Sequence, residues 1–302
     1  MRILVLGAGG YLGRHVADRL RTRPGTRVLL GGRAPGADVP AALATVPPDA
    51  LARAVAPAAP DAVVNCAGAT GGDAVHLAEV NARGPAVLCA ALREAAPAAR
   101  LVHLGSAAEY GPGTPGRAVP ETEPCAPAGP YGATKLAGTA AVTASGLDAV
   151  VLRVGNPVGA GAPRSGLPGR VAALLAEAGT RPDAELRLGD LSAHRDFVDA
   201  RDVAHAVDLA TIADGPLPAV LNIGGGGARP VRDLVRGLAD AAGYRGRITE
   251  TADGSARSAQ VSWQCSDITA ARDALGWRPT HSLAASVTAL WAAYAPEGTA
   301  AP

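Results

Sequence analysis

The sequence is poor in cysteine and in net charge, and each shortage excludes a class of site. The four cysteines lie far apart, with no Cys-x-x-Cys pair, at Cys66, Cys89, Cys125 and Cys265. This spacing argues against a disulfide framework and against a zinc site. The formal net charge of +1, with both signs mixed along the chain, gives no field that would attract nucleic acid or an anionic membrane. We therefore expect no metal, no nucleic acid and no membrane among its partners.

Long apolar segments are missing as well. No apolar run reaches the length of a membrane span, and the N-terminus enters an apolar strand without a basic leader or a cleavage site. We expect a reduced, cytoplasmic protein. Its 302 residues, 48% of them hydrophobic, are enough to build a core in one large domain or two smaller ones.

Short apolar runs recur along the chain, and a glycine or polar turn follows each of them. Such runs are typical of strands that are buried on both faces of a parallel sheet. They lie at residues 2–6, 28–30, 62–65, 101–104, 149–152 and 220–223. Helix-compatible stretches separate most of them, so the pattern predicts an α/β fold with a Rossmann-type, doubly wound parallel sheet.

The pattern is weaker in two places. A segment rich in proline and alanine, residues 34–60, offers only a poor third strand at 43–46. After residue 154, glycine and proline cluster, and three helices are predicted at 171–178, 231–242 and 283–294. We predict a nucleotide-binding domain from 1–155 plus about 196–224, and a smaller discontinuous substrate lobe from about 156–195 plus 225–302.

A glycine-rich turn joins the first strand to the first predicted helix, and its sequence is Gly-Ala-Gly-Gly-Tyr-Leu-Gly. Gly7 permits the tight turn, Gly10 lets the backbone approach a pyrophosphate, and Gly13 allows the helix to pack closely on the strand. The positive end of the helix dipole then faces the anion. The turn predicts a dinucleotide site; the alternative is a structural turn without ligand.

The choice of cofactor depends on the residue that follows the second strand. An acid there would bind the adenosine ribose, whereas a base would bind a 2′-phosphate. Here the strand continues into Gly31-Gly32-Arg33 with no acid. Arg33 favours NADP(H) over NAD(H), unless it is only a solvated surface arginine.

A phenol and an ammonium lie four residues apart at Tyr131 and Lys135, which places both on one face of a helix. A nearby cation stabilises phenolate, so such a pair suits a tyrosine that donates or accepts a proton. Ser106 lies just beyond the strand at 101–104, at the sheet edge where ligands bind in such folds. Taken alone, each residue has a structural explanation; together with the glycine turn, they indicate carbonyl chemistry.

These features resemble those of the extended short-chain dehydrogenase/reductases, the group of sugar-nucleotide epimerases, dehydratases and reductases in the NAD-dependent epimerase/dehydratase family. The resemblance covers nearly the whole chain. Further matching segments lie at 61–68, 153–159, 195–199, 221–224 and 275–279.

The resemblance implies roles for individual residues. The catalytic trio is Ser106, Tyr131 and Lys135, and Lys135 also binds the nicotinamide ribose. The implied cofactor contacts are Gly7, Gly10, Tyr11, Leu12, Gly13, Arg33, Cys66, Ala67, Gly68, Asn81, Tyr131, Lys135, Val154 and Pro157. The implied substrate contacts are Ser106, Ala107, Asn156, Arg170, Arg195 and Arg257, with Arg229 as a looser candidate. Arg195 is the residue expected on a nucleotide diphosphate, the alternative being a structural ion pair.

Departures from the sub-patterns of the family narrow the reaction. Dehydratases place an Asp-Glu pair after the catalytic hydroxyl residue, and epimerising reductases place a cysteine two residues after it; here Ala107 and Ala108 follow Ser106. With Arg33 and residues 188–190, the chain most resembles reductases of nucleoside-diphosphate (NDP) 4-keto-6-deoxyhexoses, so we predict an NADPH-dependent 4-ketoreductase.

Three alternatives stay open. They are an NDP-sugar 4-epimerase with retained NAD, a ketoreductase of a non-sugar natural product, and an NADP(H)-binding sensor without catalysis. The resemblance also implies a homodimer, formed through the helices predicted at 77–92 and 136–144.

Overall fold

The computed structural model describes residues 1–251 and 261–295. Twelve strands are described: β1 Arg2–Leu6, β2 Arg27–Gly32, β3 Val39–Pro40, β4 Ala62–Asn65, β5 Arg100–Ser106, β6 Ala149–Val154, β7 Asn156–Val158, β8 Glu185–Leu188, β9 His194–Asp199, β10 Val220–Ile223, β11 Ala228–Pro230 and β12 Arg247–Glu250. The helices are α1 Tyr11–Arg21, α2 Pro48–Val55, α3 Ala74–Ala78, α4 Gly84–Ala95, α5 Pro130–Thr143, α6 Leu167–Ala178, α7 Ala200–Ile212, α8 Val231–Ala241, α9 Thr269–Leu275 and α10 Leu283–Ala292.

The central sheet has seven strands in the order β10-β6-β5-β4-β1-β2-β3, and all of its pairings are parallel. The order reverses beside β1, so the carboxyl ends of β1 and β4 flank the crevice where such sheets bind ligands. The predicted α/β Rossmann-type architecture is confirmed.

The strands of this sheet are buried on both faces. In β1, Ile3 and Val5 pack in one core cluster while Leu4 and Leu6 pack in another. Successive side chains of a strand point to opposite faces, so a continuous apolar run is what a sheet covered on both sides requires. The six apolar runs of the sequence correspond to β1, β2, β4, β5, β6 and β10.

The prediction of the third strand was wrong. That strand is the two-residue β3, whereas residues 43–46 lie in a turn in which the N–H groups of Thr45 and Val46 both bind the Ala42 carbonyl. Leu43 is buried, so its apolar character reflects packing under the sheet and not a strand conformation. Pro48 then begins α2, at a helix position where proline is favoured.

A third core cluster lies in a smaller lobe, where α6, α8 and α10 pack with the short sheets β11-β9-β7 and β12-β8. The helix predictions for this lobe agree with α6, α8 and α10 to within a few residues. Ala271 and Trp277 pack in a core cluster of the central sheet, although they lie between α8 and α10 of the lobe in sequence.

Asp196 of β9 connects the two parts of the chain. It is fully buried, and its carboxylate accepts the backbone N–H groups of Gly225 at 2.6 Å and Ser266 at 2.9 Å. A Cβ on Gly224 would lie 2.0 Å from Asp196 Oδ2, so this close approach requires glycine.

Within residues 1–251 and 261–295, no helix combines the length and the apolar character needed to cross a membrane.

Candidate active site

The turn after β1 is built from backbone contacts that leave no room for side chains. Gly7 has a φ of 76°, and a Cβ on it would lie 2.7 Å from the Ala67 nitrogen. A Cβ on Gly13 would lie 2.1 Å from the Gly7 carbonyl oxygen, so α1 packs directly on the turn. Gly7 and Gly13 are therefore required by geometry, as predicted from their spacing.

The N-terminus of α1 is suited to an anion. Gly10 precedes the helix in extended conformation and provides no side-chain cap. The first-turn N–H groups of Tyr11, Leu12 and Gly13 have no acceptor within the helix. Phosphate oxygens are strong acceptors, and the helix dipole favours negative charge at this end. The residues present therefore fit the pyrophosphate of a dinucleotide.

The side chains of Tyr11 and Leu12 contribute to packing. Leu12 packs against the core of the central sheet, and Tyr11 packs against the core of the lobe. Burial raises the pKa of the Tyr11 phenol, whose oxygen has no hydrogen-bond partner among the described residues. The backbone of these two residues is thus the part that can meet a cofactor.

Arg33 is exposed just beyond β2. A Cβ on Gly31 would lie 2.5 Å from Leu6 Cδ2, so the strand end lies close to β1. Asp38 is the first acid after β2, and it was missed by the sequence reasoning; its Oδ2 accepts the N–H of Leu30 at 2.8 Å. Arg33 is therefore an exposed cation in the loop after β2, whereas the Asp38 carboxylate is hydrogen-bonded to the backbone of β2.

The loop after β4 lies against the glycine turn. Asn65 fixes its start: its Oδ1 accepts the N–H of Ala67 at 3.1 Å, and its Nδ2 contacts His103 Nδ1 at 3.1 Å. The partly buried Cys66 and Ala67 and the exposed Gly68 follow. Gly7 and Ala67 are in direct backbone contact, so the two predicted cofactor segments meet.

Asn81 is buried in a π-helical turn, Glu79–Arg83, that interrupts α3 and α4. Its side-chain amide accepts the N–H of Ala69 at 2.9 Å and donates to the Ala69 carbonyl at 2.8 Å. It also lies 3.3 Å from Thr134 Oγ1 on α5. Asn81 therefore joins the loop after β4 to the helix that carries Tyr131 and Lys135.

The three residues predicted to be catalytic come from two adjacent elements. Ser106 ends β5, and α5 carries Tyr131 and Lys135. The first turn of α5 lies against the turn after Ser106, because a Cβ on Gly132 would lie 2.4 Å from the Ala108 carbonyl oxygen. Lys135 Nζ donates to the Leu104 carbonyl at 2.5 Å, so both ends of the trio are anchored to β5 and the turn that follows it.

Lys135 is 5% exposed, and burial lowers its pKa from the usual 10.5 to about 8. An amine with a pKa in this range is still protonated at neutral pH. The neighbouring Cys66 thiol has its pKa raised to about 12 by burial, and burial holds the pKa of His103 well below its usual value. Lys135 is thus the cation of this cluster at neutral pH.

Ser106 is held in one orientation. Its Oγ accepts the N–H of Ala108 at 3.2 Å, which leaves the hydroxyl hydrogen to be donated elsewhere. Ala107 is buried, so only its backbone can reach a ligand.

The sequence did not lead us to predict Glu109 and Arg153 as residues of this site. Glu109 is fully buried and lies 2.8 Å from Arg153 Nε. The order Ser-x-x-Glu is a capping-box pattern, so the sequence did contain a signal for the contact between Glu109 and Ser106.

The predicted substrate side begins at β7. Asn156 Nδ2 donates to Gln264 Oε1 at 2.8 Å, and Pro157 pairs with Val198 of β9. Val154 is 4% exposed and packs in the core of the central sheet, so its side chain does not face a ligand.

Two of the candidate arginines lie together. Arg195 of β9 and Arg229 of β11 are directly opposite in an antiparallel ladder, and Arg229 is exposed. Arg195 is partly buried, and its Nη1 donates to the His194 carbonyl at 2.9 Å. Arg170 is exposed in the first turns of α6, and Arg257 lies outside the described residues.

The central sheet is a Rossmann fold, and comparison with known proteins gives the family of the chain. The sequence model of the NAD dependent epimerase/dehydratase family matches residues 3–224. The chain therefore belongs to the NAD dependent epimerase/dehydratase family.

One curated relative is a dTDP-6-deoxy-L-talose 4-dehydrogenase (NAD(P)(+)) from Kitasatospora kifunensis. The two sequences are 44% identical over 200 residues, which cover 65% of this chain and 63% of that relative.

Two solved structures are similar over almost their whole length. RMD from Pseudomonas aeruginosa, complexed with NADPH, superposes with a TM-score of 0.84 at 24% identity and covers 97% of this chain and 98% of that chain. The UDP-glucose 4-epimerase of Thermus thermophilus, complexed with NAD, has a TM-score of 0.81 at 26% identity and covers 99% of this chain and 100% of that chain.

Proposed function

We propose that this protein reduces the 4-keto group of an NDP-4-keto-6-deoxyhexose with NADPH. The observation that carries the proposal is the combination of Ser106 at the end of β5 with Tyr131 and Lys135 on α5, without an acid at either of the two positions that follow Ser106. Ala107 and Ala108 occupy the two positions after Ser106, so the acid–base pair that would eliminate water from the sugar is missing there.

The similarity to a 4-dehydrogenase of a dTDP-6-deoxysugar supports the same carbon and the same class of substrate. Oxidation of a C4 hydroxyl and reduction of a C4 ketone pass through one transition state, so a single site serves both directions. Arg33 favours the 2′-phosphorylated cofactor, NADP(H), because a 2′-phosphate would offset the charge of an exposed guanidinium.

The cofactor, when bound, supplies the hydride. The residues of this chain donate the proton to the C4 oxygen and stabilise the negative charge that develops there. Tyr131 donates its phenolic proton to the C4 oxygen, and the Lys135 ammonium stabilises the tyrosinate that remains. Ser106 donates its hydroxyl hydrogen to the same oxygen, where negative charge develops.

Binding is divided between the two parts of the molecule. The N–H groups at the start of α1 would hold the cofactor pyrophosphate, and Asn81 would fix the loop after β4 beside it. Arg195 and Arg229 would hold the diphosphate of the sugar nucleotide, since the two residues lie at opposite positions of one ladder. The described chain thus offers separate cation or N–H groups for each diphosphate.

A 4-epimerase is the second candidate, and the overall similarity to an NAD-bound UDP-glucose 4-epimerase favours it. Epimerisation returns the cofactor to its starting state, so such an enzyme would carry NAD through purification and consume no added NADPH. Arg33 opposes this candidate, because it places a cation where an NAD enzyme places an acid.

The test is to mix purified protein with NADPH and dTDP-4-keto-6-deoxyhexoses of different C5 configuration, while following absorbance at the NADPH band. We expect one NADPH to be consumed per ketone reduced, and far slower consumption by Tyr131→Phe. Retained NAD, or inversion at C4 of an NDP-hexose without added NADPH, would favour the epimerase.

A further inference from the structure

Two side-chain amides meet beside the residues predicted to be catalytic. Asn156 Nδ2 donates to Gln264 Oε1 at 2.8 Å, and both residues are partly buried. Asn156 lies two positions after Val154, which is paired with Ser106 in the central sheet. The amide pair therefore lies at the carboxyl edge of the sheet, where ligands bind in such folds. Asn156 is a predicted substrate contact, whereas Gln264 was not predicted from the sequence and has no step in the proposed reaction.

The neighbouring backbone fixes which way each amide faces. Asn156 Nδ2 also lies 3.4 Å from the Asp196 carbonyl oxygen, so the amino group of Asn156 faces two acceptors. Gln264 must then present its oxygen to Asn156 and turn its own amino group away from it. Each amide keeps one polar atom that the pair does not use. These are an acceptor, Asn156 Oδ1, and a donor, Gln264 Nε2.

Contacts with β9 hold Gln264 in place. Its backbone N–H donates to the His194 carbonyl at 3.2 Å, and the His194 N–H donates to the Ser262 carbonyl at 2.8 Å. Trp263, between these two residues, stacks on the His194 ring with 5.0 Å between the ring centres. Gln264 is therefore positioned before a ligand binds, and little entropy is lost in ordering its backbone.

Gln264 also adjoins Arg195, the residue proposed to bind the sugar-nucleotide diphosphate. Arg195 Nη1 and the Gln264 N–H donate to the same carbonyl, that of His194, at 2.9 and 3.2 Å. Gln264 is thus flanked by Arg195 on one side and by Asn156, close to the end of β5, on the other. In an NDP-4-ketohexose the diphosphate is attached to C1 and the ketone is at C4. The hydroxyl groups of C2 and C3 therefore lie along the same path as Gln264.

The chemistry of the amide pair suits such a hydroxyl group. A hydroxyl both accepts and donates a hydrogen bond, and the pair offers one donor and one acceptor. Neither amide carries a charge, so the pair is matched to a neutral group and leaves the diphosphate to the arginines. A site built to hydrogen-bond a hydroxyl discriminates against an analogue that lacks it, because its polar atoms then lose their partner.

We propose that Gln264 is a specificity-determining residue that donates its amide N–H to the C2 or C3 hydroxyl of the hexose, while Asn156 orients the amide. The inference rests on the proposed function for the placement of the sugar between Arg195 and Ser106. It narrows the substrate class to hexoses that keep this hydroxyl group.

The test measures binding of three sugar nucleotides to the NADPH complex by calorimetric titration. They are a dTDP-6-deoxyhexose and its 2-deoxy and 3-deoxy analogues, all with a hydroxyl at C4, so that NADPH has no ketone to reduce. We expect wild type to bind one of the two analogues about tenfold more weakly than the parent sugar, the value of one hydrogen bond with its desolvation. Gln264→Met keeps the length of the side chain without the amide, and it should bind the parent and that analogue equally.

Ser262→Ala is the matched control. Ser262 is exposed on the same segment, and its contact with His194 uses the backbone carbonyl, which the variant keeps. This variant should discriminate between the sugars as wild type does.

Equal affinity of wild type for all three sugar nucleotides would overturn the inference, whether or not the variants fold. Discrimination by Gln264→Met as strong as that of wild type would overturn it as well. Wild-type protein that shows the expected discrimination but reduces no 4-keto sugar nucleotide would instead overturn the proposed function, because the binding measurement involves no turnover.

Discussion

The cofactor side of the site is held by contacts between backbone atoms, whereas the predicted substrate side depends on arginine side chains, of which Arg195 is partly buried and Arg170 and Arg229 are exposed. On the first side, Gly7 meets Ala67 and Gly13 meets Gly7 at distances that exclude any side chain. On the second side, Arg195 and Arg229 extend from a short ladder of the lobe, and Arg170 is exposed on α6. The glycines of the turn are required by the fold, whereas the arginines are expected to serve ligand binding.

The two sides should therefore respond differently to substitution. A change in the glycine turn disturbs both stability and cofactor binding, because the same close contacts serve both. A change at the arginines should alter substrate affinity and leave stability almost unchanged, since surface charges contribute little to folding.

The largest effect is expected at the trio that joins the two sides. Tyr131→Phe removes the proton donor while the ring that packs at the start of α5 is retained. We expect kcat to fall by about 10³-fold, since positioned acid catalysis contributes on that order. Stopped-flow or steady-state kinetics would measure the loss, and calorimetric titration should show NADPH affinity close to wild type. Retention of a substantial part of the activity would remove Tyr131 from the proposed role.

The next effect is expected in the turn. Gly13→Ala places a methyl group 2.1 Å from the Gly7 carbonyl oxygen, so the helix must move away from the strand. We expect a loss of about 2–3 kcal/mol in the free energy of unfolding, as for overpacked sites, together with weaker NADPH binding.

Gly9→Ala is the matched control for this turn, because a Cβ on Gly9 has no atom within 4 Å. Chemical denaturation and NADPH titration of both variants would measure the difference. Equal stability of the two alanine variants would contradict the account of the turn.

A smaller and more selective effect is expected in the lobe. Arg195→Ala and Arg229→Ala should each raise KM for the sugar nucleotide about tenfold, because each removes a charged hydrogen bond to the diphosphate. NADPH affinity and melting temperature should stay the same. Arg236→Ala, at an exposed position of α8, is the control. A loss of stability in place of affinity would make these two arginines structural.

The smallest effect is expected at Arg33, on the cofactor side but outside its rigid turn. Arg33→Ala should weaken NADPH binding about tenfold, the value of one charged contact, and leave NADH binding unchanged. Parallel calorimetric titrations with the two cofactors would measure the ratio. Equal losses for both would show that Arg33 does not recognise the 2′-phosphate.

Much of the first side could be predicted from the sequence. Its strands are continuous apolar runs, and its turn requires glycine at fixed spacing, so local pattern and tertiary structure agree for β1, α1 and β4. The weak third strand failed because Leu43 is buried from a turn, and apolar character alone does not separate the two.

The second side could be predicted only in part. The position of Arg195 opposite Arg229 depends on pairing between β9 and β11, and the two residues are more than thirty positions apart in the sequence. No local sequence pattern indicates this pairing. The ion pair of Glu109 and Arg153 likewise joins two elements of the sheet that are distant in sequence. Predicting long-range contacts of this kind requires the folded structure, because neither segment contains a sequence pattern that identifies its partner.

The most direct test of the proposed function is transfer of isotope from NADPH deuterated at the transferred position to a dTDP-4-keto-6-deoxyhexose, with the product analysed by NMR and mass spectrometry. The account predicts one deuterium at C4 of the sugar for each NADPH oxidised. A 4-keto sugar that stays unreduced with no loss of NADPH would contradict it, and inversion at C4 of an NDP-hexose that carries a C4 hydroxyl would identify an epimerase.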